Sequence, residues 1–160
     1  MYNIYRRGGE ILTLSINSAE ESEYGELYQS YQFEQYKMFV SSAEKISEMR
    51  FNSNKFFITI NSLIVTLFGI FLDKLSWYVW IVPFLGIGIA VLWIRSIKNY
   101  SYLNSAKFEV INKIEEKLPL DPYKKEWDIL NSNEKYKTLS SIEKCIPYLF
   151  IIAYIVLFFI

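Results

Sequence analysis

Apolar residues fall in three long blocks, Phe56 to Leu72, Trp77 to Ile97 and Ile146 to Ile160, instead of recurring at the spacing of a soluble helix or strand. Runs of this kind predict membrane-spanning helices. At 1.5 Å per residue the first is about 25 Å long, close to the hydrocarbon thickness once Lys55 and Asp73 snorkel to its edges. The second opens with Trp77, Tyr78 and Trp80 and closes with Trp93 and Arg95, side chains suited to the two headgroup levels. Only Asp73, Lys74, Leu75 and Ser76 separate the two blocks, so they predict a tight antiparallel transmembrane hairpin over 56–97, with spans at 56–72 and 77–97. Gly86 and Ala90 give the second span a small-xxx-small seat for the first, Gly88 adds a gap, and Pro83 is expected to kink it. The third block, about 23 Å as a helix, carries Pro147 near its start, where a missing N–H is harmless. It is expected to cross the bilayer, since it has no polar face to leave in water; the alternative is a re-entrant or sideways-packed course.

The remaining segments read as helices on one side of the membrane. From Ser18 to about Asn52 a helix is predicted, opened by a capping box of Ser18 with Glu21 and by an acidic first turn. Its large side chains recur at Tyr24, Leu27, Tyr28, Tyr31, Gln35, Met38, Ser42, Ile46 and Met49, near the heptad period. Asn52, Ser53 and Asn54 are a hinge or a polar collar before the first span. After the second span, helix is predicted to continue to Leu118 with Leu103, Val110, Ile111, Ile114 and Leu118 on one face, stopped by Pro119. Asp121 then serves as N-cap, with Pro122 at the first position of a short helix carrying Tyr123, Trp127 and Leu130. Asn131 to Asn133 is a turn, and Ser140 with Glu143 repeats the capping box before the third block. Residues 1–17 differ in kind and suit a small hairpin or a loose tail. The polar start of the chain argues against a signal peptide. The fold class is therefore an all-α integral membrane protein: a transmembrane hairpin, a C-terminal apolar helix at 146–160, and long amphipathic helices at 18–55 and 98–145.

Charge orients this arrangement. Six Lys or Arg precede the first span and ten follow the second, against Lys74 alone between them. Basic residues are retained on the cytoplasmic side, which places both flanks in the cytosol and the hairpin tip outside. The whole chain balances 17 basic against 17 acidic residues, so no excess points to nucleic acid.

The candidate chemistry is thin. The chain has no His, and its one Cys, Cys145, can form neither an internal disulfide nor a thiolate metal cage. Neither phosphate-loop pattern occurs, and Asn104, Lys107, Glu109, Glu115, Glu126 and Asp128 fit a solvated or salt-bridged face better than a catalytic pair. No catalytic residue, cofactor or metal is expected, and the protein is read as non-enzymatic. Inside the membrane, Thr59, Ser62, Thr66 and Gly69 share a face with Asn61 beside it; close packing is the favoured reading and a pore lining the alternative. Tyr28, Tyr31, Tyr36, Phe39, Phe108, Ile111 and Trp127 on the cytosolic helices are expected to pack within and between subunits, because one monomer cannot cover two such stripes.

The strings Glu34-Gln35-Tyr36-Lys37, Phe56-Phe57 with Ile60-Asn61, Leu103-Asn104 with Lys107-Phe108, Leu118-Pro119 and Glu126-Trp127 occur in this order around the two-span hairpin. Together they resemble the RipA-type family of small bacterial membrane proteins, described as octameric, from about Glu34 to Pro147. The resemblance implies a homo-octamer in the bacterial cytoplasmic membrane, helical bulk in the cytosol, and a role in stress or host growth without catalytic residues. An oligomeric scaffold or membrane-stress factor is thus expected, with lipid and further copies as partners; a channel or pore-forming effector is the rival.

Overall fold

A computed structural model describes residues 21–71, 80–133 and 138–159. The expected N-terminal hairpin or tail, the cap at Ser18, the tip at Asp73 to Ser76 and the Trp77–Tyr78 pair lie outside these residues. Among the described residues every regular element is helical: a short α1 (Glu21–Tyr24), a 3-10 turn (Gly25–Leu27), α2 (Tyr28–Phe71), α3 (Ile81–Glu115), α4 (Pro122–Ser132), α5 (Leu139–Glu143) and α6 (Cys145–Leu157).

The predicted helix from Ser18 to Asn52 differs at both ends. It is interrupted at Gly25, whose φ of +56° is left-handed backbone that only glycine adopts without strain. No hinge occurs at Asn52 to Asn54. Instead α2 runs unbroken for 44 residues, about 66 Å. Ser53 and Asn54 form bonds between helices: the Ser53 and Ser96 hydroxyls lie 3.2 Å apart, and Trp93 Nε1–H donates to Asn54 Oδ1 at 2.8 Å. Ser53 and Asn54 therefore act as a collar, and the helix does not break there.

These bonds, with Tyr36 against Glu115 and Lys107 against Ser42, pair α2 and α3 in opposite directions. Both helices carry an unbroken three-four repeat along the contact. On α2 it is Tyr36, Val40, Ala43, Ser47, Arg50, Asn54, Phe57, Asn61, Ile64 and Phe68, every one buried or half-buried. On α3 it is Pro83, Gly86, Ala90, Trp93, Ile97, Tyr100, Asn104, Lys107, Ile111 and Ile114, likewise never exposed. A strict seven-residue repeat keeps one seam facing the partner over the whole length, as in a coiled coil. The stripe expected from hydrophobicity lies about one residue out of phase: Tyr31, Gln35, Met38 and Met49 are exposed. The true seam was masked by its own polar members, Ser47, Arg50 and Asn54.

Other boundaries are set by proline. α3 stops at Glu115 instead of Leu118, because Pro119 would clash with the carbonyl four residues back and restricts Leu118. The chain closes there in tighter i to i+3 bonds, Ile114 O from Lys117 N–H and Glu115 O from Leu118 N–H. Pro83 falls in the first turn of α3, where its absent N–H has no partner within the helix, so the cause expected for a kink is missing. α6 runs antiparallel to α3. Phe150 meets Trp93, Tyr154 meets Gly86, and Phe158 stacks on Trp80 at 5.7 Å.

α2 and α3 are each long and apolar enough to cross a membrane. Only 17% and 33% of their most apolar windows are buried within the protein. The central helices of a soluble domain would be mostly buried; here the apolar faces point outward.

Candidate functional site

Polar groups tie the helices together at three levels. The first lies within the apolar half. Asn61 is fully buried on the α2 seam, and its Nδ2–H donates to the Phe57 carbonyl at 2.7 Å. Its Oδ1 accepts from the Tyr154 hydroxyl at 3.0 Å. Tyr154, also fully buried, lays its ring over Gly86, where any Cβ would collide with it. One amide, one phenol and one glycine thereby join α2, α6 and α3 where no water can substitute for a lost bond.

The second level is the collar. Beside the Asn54 and Ser53 bonds, Trp93 is fully buried and stacks on Phe57 at 5.8 Å with an interplanar angle of 8°. Arg50 Nε lies 3.6 Å from Glu143 Oε2, both side chains largely covered, and this pair anchors α5 to α2. The side chain of Ser140, the other half of the predicted capping box, lies outside the described residues. The α5 entrance is formed by Thr138, whose carbonyl accepts from Ser141 N–H and whose hydroxyl lies 2.8 Å from that of Ser141.

The third level, at the far end of α3, contains a side chain that sequence reasoning misjudged. Glu115 was expected on a solvated or salt-bridged face, yet it is 1% exposed. Its carboxylate accepts from the Tyr36 hydroxyl at 2.9 Å and from the backbone N–H groups of Tyr123 and Lys124, each at 3.2 Å. These are the free donors of the first turn of α4, so a carboxylate from α3 supplies the cap and meets the positive end of the helix dipole. Asp121, the expected N-cap, makes no side-chain cap bond; its carboxylate faces Lys125 at 4.0 Å. Burial, then the hydrogen bond to Glu115, hold the Tyr36 phenol above its usual range. Tyr123 is raised too, first by burial and then by the charge of Glu44. The signal available in the sequence was Pro122 following a helix that ends in two glutamates.

The expected site residues divide accordingly. Thr59, Ser62, Thr66 and Gly69 are exposed on one face of α2, and Asn61 is turned away from them. Thr66 Oγ1–H donates to the Ser62 carbonyl at 2.8 Å, so this hydroxyl is satisfied by its own helix. Gly86 and Ala90 are buried, and Tyr154 of α6 fills the space a Cβ would take at Gly86. Of the aromatic and apolar residues expected to pack within and between subunits, Tyr36, Phe108 and Ile111 belong to the internal packing, with Phe108 edge-on to Tyr123 at 5.5 Å. Tyr28 is half-buried, while Tyr31, Phe39 and Trp127 face outward. Cys145 is exposed at the start of α6.

Two long helices with outward apolar faces, joined by buried polar bonds and a third apolar helix, define a small helical membrane protein. The model of the octameric membrane protein family (8xMP) matches residues 33–160, and the chain belongs to that family. No curated protein and no solved structure matches it.

Proposed function

We propose that the chain is a non-enzymatic, homo-oligomeric protein of the bacterial cytoplasmic membrane, assembling as the octamer its family is named for and acting as a scaffold or membrane-stress and host-growth factor. The observation that carries this reading is the surface left open by one copy. Tyr31, Phe33, Met38, Met49 and Phe51 are about half exposed or more along the part of α2 before its apolar block. Water does not favour such a stripe, and further copies of the same helix pair would cover it.

The buried polar groups support a structural role, since Glu115, Arg50, Glu143, Asn54 and Asn61 are engaged in holding helices together. In the orientation we favour, α2 and α3 cross as a hairpin, with residues 98–145 and the start of α2 on the basic, cytosolic side. The contacts of α6 run from the collar to Trp80 at the opposite end of the bundle, which supports its crossing as a third span.

A second reading draws on the exposed Thr59, Ser62, Thr66 and Gly69 face, which is free to surround a symmetry axis as the lining of a channel. Ion flux in liposomes separates the two. Flux abolished by Ser62→Leu supports a channel, whereas tight liposomes combined with a reproducible protein partner on the cytosolic helices support a scaffold.

A further inference from the structure

We infer that an open groove on α3, centred on Arg95, binds the phosphate of an anionic phospholipid. The inference rests on the membrane reading above and adds a ligand to it. Leu92, Arg95, Ser96, Asn99, Tyr100 and Leu103 line a groove of about 460 Å³, following one face of α3 at three-four spacing. Trp93 and Ser96 bond to Asn54 and Ser53, so Arg95 sits at the collar, where the apolar run of α3 ends.

The donors are free to serve a ligand. Ser96 pairs with Ser53, but among the described residues no ion pair or hydrogen bond engages Arg95, Asn99 or Tyr100. A guanidinium fork, an amide and a phenol beside one another suit a phosphodiester, which the fork can grip with two parallel bonds. Leu92, exposed on the membrane side of the groove, offers a surface to glycerol and acyl carbons.

Charge selects an anionic lipid. Arg50, Lys55, Arg95, Lys98 and Lys144 lie in the three segments that meet at the collar, 50–58, 92–103 and 142–150. Glu143 is the one acidic residue there, and it faces Arg50. The surface potential at this level is therefore positive, and a headgroup with net negative charge is preferred over a zwitterionic one of the same shape.

Native mass spectrometry of the detergent-solubilised full chain tests this, with phosphatidylglycerol or phosphatidylcholine of identical acyl chains added. The expected result is preferential retention of phosphatidylglycerol, about tenfold weaker in Arg95→Gln, the loss of one charge-assisted contact. Arg95→Lys should retain part of the preference, and Lys117→Gln, a control past the far end of α3, should retain all of it. Equal retention of the two lipids, or wild-type retention in Arg95→Gln, overturns the proposal. So does displacement of the lipid by inorganic phosphate at equal concentration, which would make the site one for free phosphate. Flotation with phosphatidylcholine vesicles distinguishes the two levels of failure. A chain that floats but does not discriminate sinks the lipid site alone, whereas a chain that stays in the aqueous phase sinks the membrane reading and the site with it.

Discussion

Replacing Gly86 with alanine places a methyl group inside van der Waals distance of Cζ and Cε1 of Tyr154, and 2.6 Å from Cε2. A flexible side chain at the surface would swing away at little cost. Tyr154 cannot, because its ring is fully buried between α2, α3 and α6 and its hydroxyl is held at 3.0 Å by Asn61. Either the ring moves and the bond to Asn61 is lost, or α6 separates from α3. Overpacking costs about 1–3 kcal/mol, and a hydrogen bond between membrane helices adds about 0.6–1.7 kcal/mol. Gly86→Ala should therefore destabilise the protein by about 2–5 kcal/mol. The assay is unfolding in mixed detergent, followed by the fluorescence of Trp93, whose stacking on Phe57 and contact with Phe150 report the same three helices. Tyr154→Ala removes the obstruction, so Gly86→Ala should cost much less in that background. Equal costs in the two backgrounds, or no cost in either, would refute the packing argument.

Further outcomes follow from the other two levels and from the exposed face. Tyr36→Phe removes one bond to Glu115 and should cost about 1 kcal/mol, while Glu115→Ala should free α4 and raise amide exchange at Tyr123 and Lys124. Because the folded-state pKa of Tyr36 is raised, its contribution is complete below the usual tyrosine range and is lost as pH rises beyond it. Stability should fall above about pH 10, less steeply in Tyr36→Phe, as measured by thermal unfolding between pH 8 and 12. Glu143→Gln removes the carboxylate that faces the largely covered Arg50 and should cost about 1–3 kcal/mol, discounted for partial exposure; an unchanged melting temperature would contradict the anchor. Thr66→Leu alters an exposed side chain whose hydroxyl bonds its own helix, so helix content should hold while particle size or ion flux changes.

How far the sequence could be read depended on where polarity fell. The apolar blocks stood out because lipid demands unbroken runs, and α2 and α3 follow them. The seam between the helices was harder to see. A hydrophobicity pattern finds the stripe of largest apolar side chains, which on α2 includes the exposed Tyr31, Met38 and Met49. The buried register instead passes through Ser47, Arg50, Asn54 and Asn61, and the last three have polar partners on α5, α3 and α6 that sequence distance conceals. Glu115 was misread for the same reason: its cap lies across Pro119 on another helix, and local capping rules point to Asp121. Gly86 was recognised as a close-approach site, but the side chain that approaches comes from a block 68 residues later.

The central claim is that these helix pairs assemble in lipid, and the mass of the detergent-solubilised particle, with a low-resolution view down its axis, tests it most directly. Eight copies of the 19.0 kDa chain arranged around one axis, with detergent at the apolar belt, are expected. A single 19.0 kDa chain, freely soluble without detergent, would contradict the account.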